Sequence, residues 1–118
     1  MGVKDLVSKL TKPVEEHDRE KLVEFCSSLE GCHPADELQP RKNAKVVGEI
    51  SSVRIVPRAG APSLEVAVTD GRGTVTAVFF GRKKIAGLTP GRRLVVEGMV
   101  APLGNRAFIY NPVYELLA

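Results

Sequence analysis

Apolar and polar residues alternate with a period of two from about residue 45 onward, which is typical of β-strands with one buried face. This pattern predicts five strands, at residues 46–57, 64–69, 74–80, 92–100 and 106–110. Gly48 inside the first strand indicates a bend or bulge, which a small closed barrel needs. Residues 70–73 read Asp-Gly-Arg-Gly, a tight hairpin turn in which glycine tolerates a positive φ.

The order of these strands predicts a mainly β fold. Three meander strands, a connecting segment and a two-stranded hairpin match a five-stranded OB-fold Greek-key barrel. Residues 58–62 are predicted to form a loop, and residues 82–88 a short helix or a structured loop. A helical connection between strands three and four favours an OB-fold over the alternative, an SH3-like barrel.

The first third of the chain has helical spacing instead. Val3, Leu6, Val7 and Leu10 fall at i, i+3, i+4 and i+7, which predicts one short helix. Pro13 suits the first turn of a second helix, and Gly31 its end. The apolar face of that helix is predicted to consist of Leu22, Phe25, Cys26 and Leu29. We therefore expect a two-helix lead and linker over residues 1–43, followed by the barrel over residues 44–118.

Charge separates the same two segments. The net charge is +3, but residues 1–43 carry seven Lys/Arg against nine Asp/Glu, and residues 44–118 carry ten against five. A polyanion is therefore expected to bind the second segment. Two cysteines are too few for a disulfide framework, and no apolar run is long enough to cross a bilayer. These features predict a cytoplasmic protein without a membrane partner.

Several short motifs resemble those of a known family. They are Val46-x-Gly48-x-Ile50, Leu64-x-Val66-x-Val68-x-Asp70-Gly71-x-Gly73, Val78-Phe79-Phe80, Leu88-x-Pro90-Gly91 and Val96-x-Gly98-x-Val100. Together they resemble OB-fold nucleic-acid-binding domains, above all the wedge domain of RecG-type helicases and the anticodon-binding barrels of class II aminoacyl-tRNA synthetases. Residues 111–115 are similar to the Pro-x-Tyr-Glu that ends the wedge barrel. The whole chain also resembles small stand-alone OB-fold proteins of actinobacteria. Because no helicase motor, synthetase core or P-loop is present, the resemblance implies the fold and nucleic-acid binding without an enzymatic activity.

OB-folds usually bind nucleic acid along strands two and three and the adjoining loops, through cations for phosphates and flat rings for bases. If Val75, Ala77 and Phe79 point inward, Phe80 becomes the best stacking platform, with Tyr110 second. Phe79 and Phe108 are expected to be buried. The predicted nucleic-acid-binding residues are Arg54, Arg58, Arg72, Thr74, Thr76, Phe80, Arg82, Lys83, Lys84, Arg106 and Tyr110. The predicted ligand is single-stranded or structured DNA or RNA, bound with little sequence specificity.

Other chemistry is less well supported by the sequence. His17, Cys26, Cys32 and His33 are zinc-ligand types, but their spacing is not that of a zinc finger, and no metal or cofactor is predicted. Neither histidine is expected near the barrel surface, so no catalytic residues are predicted. The alternative function is a protein–protein adaptor that uses the barrel and the acidic second helix, with a protein partner bound through residues 1–30. That helix is predicted either to dock on the partner or to screen part of the basic barrel.

Overall fold

The computed structural model describes residues 18–103 and 106–117. Helix α1 occupies residues 18–27, and a 3-10 turn at Ala35–Glu37 precedes the sheet. The six strands are β1 (Asn43–Arg58), β2 (Ala61–Thr69), β3 (Thr74–Phe80), β4 (Arg93–Leu103), β5 (Arg106–Tyr110) and β6 (Val113–Leu116). The protein is therefore mainly β, as predicted.

Five of these strands close into a ring. The ring runs β1-β2-β3-β5-β4 and back to β1, with β3 and β5 parallel and every other pair antiparallel. Strand β6 pairs with the first half of β4, on the same side of β4 as β5. The predicted strand order is confirmed, and β6 is an additional strand.

The interior of the ring is filled by alternate apolar residues from each strand. Val75, Ala77 and Phe79 of β3 belong to this core, so of the two orientations that the sequence leaves open for β3, this is the one observed. Leu64, Val66 and Val68 of β2 lie beside them and are almost completely buried. The outward-facing residues of β3 are therefore Thr74, Thr76, Val78 and Phe80.

The connection between β1 and β2 differs from the predicted loop at residues 58–62. It is a two-residue turn at Ala59 and Gly60, with φ values of 51° and 80°. Two consecutive positive φ values match the twist of the flanking strands, so both strands continue to the turn and Arg58 pairs with Ala61. The result is a long hairpin in place of an open loop.

The bulge in β1 lies further along than predicted. The β1–β2 register shifts between Ile50 and Ser52, not at Gly48. Gly48 serves close packing instead, because a Cβ there would lie 2.5 Å from the carbonyl oxygen of Thr69. The absence of a side chain thus lets the end of β2 approach β1.

The segment between β3 and β4 is a structured loop, the second of the two predicted forms. Residues 81–92, all within the described part of the chain, form turns and no helix. Ile85 and Leu88 are buried and anchor this loop in the core. A helical connection, which would favour an OB-fold over an SH3-like barrel, is therefore absent from this segment, while the predicted strand order is correct.

Helix α1 packs on the outside of the ring. Leu22 and Cys26 are buried against Val47 of β1, while Phe25 and Leu29 lie at the edge of the same cluster. The four predicted residues therefore share one apolar cluster, but the helix ends at residue 27 and not at Gly31, so Leu29 lies in the turn that follows it. The described residues contain one α-helix, not two, and the predicted helix at residues 3–10 lies outside them.

The segment that follows α1 is tied to the sheet. The N–H of His33 donates to the carbonyl of Lys45 at 2.7 Å, and the N–H of Ala35 donates to the Asp70 carboxylate at 2.8 Å. Asp70 also accepts the N–H groups of Arg72 and Gly73 at 2.9 and 3.0 Å. One buried carboxylate thus holds the predicted β2–β3 hairpin turn and joins it to the linker.

Candidate nucleic-acid interface

Three aromatic rings form a row on the outside of β3 and β5. Ile109 points into the core, so its neighbours Phe108 and Tyr110 point outward. The rings of Phe80 and Tyr110 are 5.4 Å apart with an interplanar angle of 7°, and those of Tyr110 and Phe108 are 6.0 Å apart at 8°. We call the outer surface of β2, β3 and β5 around these rings the aromatic face.

Phe80 is the ring that solvent reaches most easily. Its exposure is 45%, whereas Tyr110 is half-buried and Phe108 is buried. The N–H of Phe80 donates to the side-chain oxygen of Asn111 at 2.9 Å, and the N–H of Asn111 donates to the carbonyl of Val78 at 2.6 Å. These two hydrogen bonds fix the main chain at the end of β3, from which the Phe80 ring projects.

Two predicted cations, Arg54 and Arg58, lie beside the aromatic face and share one carboxylate. Nη2 of Arg54 is 3.0 Å from Oε1 of Glu65, and Nη2 of Arg58 is 2.8 Å from Oε2. Burial raises the pKa of Glu65, but the hydrogen bonds from Arg58 and Arg54 outweigh it and the net pKa is lowered. Glu65 is therefore ionised at neutral pH and carries both guanidinium groups.

Arg106 lies at the opposite end of the aromatic row. Its guanidinium carbon is 4.8 Å from the centre of the Phe108 ring, and that of Arg58 is 5.9 Å from the centre of Tyr110. A cation over a ring is attracted by the ring's negative face. The structure thus brings Arg54, Arg58 and Arg106 together with the stacked rings.

Two predicted residues lie apart from this group. Arg72 is in the β2–β3 turn, at the end of β3 remote from Phe80, and it is 3.3 Å from Asp36 and 3.5 Å from Glu37. Thr74 is exposed beside the same turn. The acidic residues of the linker, rather than those of helix α1, therefore pair with this part of the basic surface.

The remaining predicted residues differ in accessibility. Thr76 points outward but is buried beneath its neighbours, so it offers little contact area. Arg82, Lys83 and Lys84 are exposed in the loop that follows Phe80, and no ion pair joins them to another described residue. They extend the positive surface from the end of the aromatic row.

Sequence reasoning missed Glu65 and Asn111 and did not predict the outward orientation of Phe108. Glu65 lies directly opposite Arg54 because the two-residue turn pairs Arg58 with Ala61, and this pairing sets the β1–β2 register. A hairpin signal at Ala59-Gly60 would have revealed it, but this dipeptide is not one of the strong turn sequences. Phe108 is buried as expected, yet it belongs to the aromatic face and not to the interior.

The zinc-ligand types do not form a metal site among residues that the structure describes, where no group of three or more His, Cys, Asp or Glu residues could hold an ion. Nδ1 of His33 accepts the N–H of Lys45 at 3.1 Å. Cys26 and Cys32 are free thiols, and burial raises the pKa of Cys26 to about 11. His17 lies outside the described residues. Within the described part of the chain, no helix has the length and apolar character needed to span a membrane.

No family model matches this sequence, and no curated protein does. Similar solved structures include RecG bound to a three-way DNA junction, with a TM-score of 0.59 and 20% identity over 73% of this chain. An OBody bound to hen egg-white lysozyme has a TM-score of 0.58 and 20% identity, covering 75% of this chain and 95% of its own. A replication factor A related protein from Methanobacterium thermoautotrophicum has a TM-score of 0.55 and 19% identity, covering 75% and 92%.

These similarities, together with the strand order, show an OB-type fold. The match spans 12% of the RecG chain, so it concerns one part of that protein. At 19–20% identity the likeness bears on the fold alone. The resemblance to small actinobacterial proteins and to synthetase barrels stays a prediction.

Proposed function

We propose that this protein is a non-catalytic module that binds single-stranded or structured DNA or RNA with little sequence specificity. The observation that carries the proposal is the aromatic face, where the exposed Phe80 ring continues a stack of parallel rings, with Arg58 over the Tyr110 ring and Arg106 over the Phe108 ring. A base stacks on any aromatic ring because every base has a π-face, and phosphates bind arginine whatever the sequence. The accessible groups around Phe80 are rings and cations, because Thr76 and Glu65 on the same face are buried, and this favours binding with little base readout.

The solved structures support the proposal at a coarse level. RecG in its junction complex carries DNA, and the replication factor A related protein has the same fold. For this chain we propose the cytoplasm as the site of action, in keeping with its two free thiols. The proposed ligand lies along β2 and β3 and reaches the basic loop at residues 82–84.

Fluorescence anisotropy tests the proposal directly. A labelled single-stranded oligonucleotide is titrated with the protein at about 50 mM and again at about 200 mM salt, because phosphate contacts release counterions and weaken as salt rises. We expect binding at the lower concentration and a clear loss at the higher one. No binding at low salt refutes the function, and binding that ignores salt refutes the electrostatic mechanism.

A protein–protein adaptor is the second candidate. One observation favours it specifically: the OBody that covers three-quarters of this chain is bound to a protein, lysozyme. Helix α1 presents Glu20 and Glu24 to solvent, so an acidic surface is available to a basic partner. Charge reversal at these two positions separates the candidates, because it abolishes an adaptor's binding through α1 and leaves oligonucleotide binding intact or tighter.

A further inference from the structure

The cluster of Arg54, Glu65 and Arg58 is unusual because an acidic residue lies within the most basic part of the aromatic face. The side chain of Glu65 is 6% exposed, whereas those of Arg54 and Arg58 are 61% and 31% exposed. A carboxylate on a polyanion-binding surface repels the ligand, so its presence there calls for a structural reason. Its burial under two arginines indicates that it acts on them and not on solvent.

The geometry explains how one carboxylate reaches both guanidinium groups. Arg54 is directly opposite Glu65 in the β1–β2 register, while Arg58 lies four residues further along β1 on the same face, beside the turn. Each arginine uses Nη2 for a separate oxygen of Glu65. An arginine has five N–H donors in a planar fork, so each keeps donors for another acceptor.

The cluster is also close to the stacking ring. Glu65 pairs with Val78 on β3, and Phe80 is the next residue on that face of the strand. Diagonal neighbours across two strands are about 7–8 Å apart, so Glu65 is close to Phe80. The guanidinium of Arg58 also lies 5.9 Å from the centre of Tyr110, the ring that stacks on Phe80, so both arginines lie on the β1 side of the place where a base would stack. A phosphate attached to that nucleotide would therefore lie within reach of both.

We propose that Glu65 is a positioning residue that holds Arg54 and Arg58 as a preformed clamp for one phosphodiester of the bound strand. An unrestrained arginine loses rotamer freedom when it binds a ligand, and a partner that fixes it beforehand removes that cost. The net charge of the cluster stays +1, so it still attracts a phosphate. This inference rests on the proposed function and assigns a role to a residue that carries the wrong charge for direct contact.

The decisive substitution is Glu65→Gln, which removes the negative charge and keeps the shape of the side chain. Electrostatic attraction alone predicts tighter binding, because the variant is more positive by one charge. Positioning predicts the opposite sign: about five- to tenfold weaker binding, since two arginines lose their shared anchor. The matched control is Glu115→Gln, which makes the same charge change at an exposed position on β6.

The measurement is anisotropy with a single-stranded oligonucleotide, on variants whose folding is verified by circular dichroism. We expect weaker binding for Glu65→Gln, and unchanged or tighter binding for Glu115→Gln. If wild type binds and Glu65→Gln binds as tightly or more tightly, the clamp is overturned while the proposed function stands. Failure of wild type itself to bind refutes the function first.

The side chains of Arg54 and Arg58 distinguish a positioning role of Glu65 from a purely structural one. Their Nε–H signals are followed by NMR in the free protein, where fixed arginines give sharp, dispersed resonances. We expect the Arg54 and Arg58 signals to collapse towards the random-coil position in Glu65→Gln while the amide spectrum is retained. Signals that stay dispersed in a weakly binding variant overturn the clamp. If Glu65→Gln does not fold, Arg58→Lys provides the second test. Lysine keeps the positive charge but lacks the planar guanidinium that can bind Glu65 and a phosphate together. An affinity of Arg58→Lys equal to that of wild type would also overturn the clamp.

Discussion

Replacing Phe80 with alanine removes the exposed ring from the aromatic face and tests its role as the stacking platform. One face of the ring is occupied by Tyr110 at 5.4 Å, so a single face remains for a base. Base–aromatic stacking is worth about 1–3 kcal/mol by alanine substitution, and we take the lower part of this range, about 1–2 kcal/mol, for one half-exposed ring. At about 1.4 kcal/mol per tenfold, the affinity should fall about 5- to 30-fold.

The assay is anisotropy with one oligonucleotide at constant salt, and Ile55→Ala is the matched control. Ile55 is 59% exposed, slightly more than Phe80, but it points to the other face of the β1–β2 hairpin. The control should bind like wild type, and the salt dependence of Phe80→Ala should be unchanged because stacking releases no counterions. An affinity of Phe80→Ala within twofold of wild type, or an equal loss for both variants, would refute the assignment of the platform.

Three further predictions concern stability. Gly48→Ala should lower the free energy of unfolding by about 1–3 kcal/mol in urea, since its Cβ would meet the Thr69 carbonyl, and an unchanged midpoint would contradict this close packing. Asp70→Ala should lower the free energy of unfolding in urea by about 3 kcal/mol, because three backbone N–H groups lose their charged acceptor. A loss below about 1 kcal/mol would contradict this role of Asp70. Burial raises the pKa of Cys26 from about 9 in the unfolded chain to about 11 in the folded protein. The unfolded chain therefore loses the thiol proton at a lower pH, and the free energy of unfolding falls as the pH rises from about 9 to 11. In urea unfolding at neutral and at alkaline pH, wild type should therefore lose more free energy of unfolding than Cys26→Ala does. An equal loss for the two proteins would refute Cys26 ionisation as the cause.

Local patterns were sufficient to predict five of the six strands and their order. Alternation fixes which residues share a face, and the Asp-Gly-Arg-Gly turn fixes where β3 begins. Alternation leaves open which of the two faces points outward, because a one-residue slip inverts every side chain. Helix α1 was predicted for the same reason, since Leu22 and Cys26 fall at helical spacing. These features depend on residues close together in the chain.

The remaining features depend on contacts between distant segments. Arg72 was predicted as a ligand contact, yet its neighbours are Asp36 and Glu37, which are 36 and 35 residues away. Arg54 and Arg58 share Glu65 because of a turn whose sequence is not distinctive. A count of charges indicates that a surface is basic, but it does not indicate which cations are already paired.

The most direct test of the central claim is an NMR titration of the isotope-labelled protein with single-stranded DNA and, separately, with RNA. We expect shifts at residues 54–58, 65, 76–84 and 106–111, which cover the aromatic face and the adjoining basic loop. The exposed apolar residues Met99 and Val113, on the β4–β6 side of the ring, should not shift. No shifts with either nucleic acid, or shifts concentrated around Met99 and Val113, would contradict a nucleic-acid interface on the aromatic face.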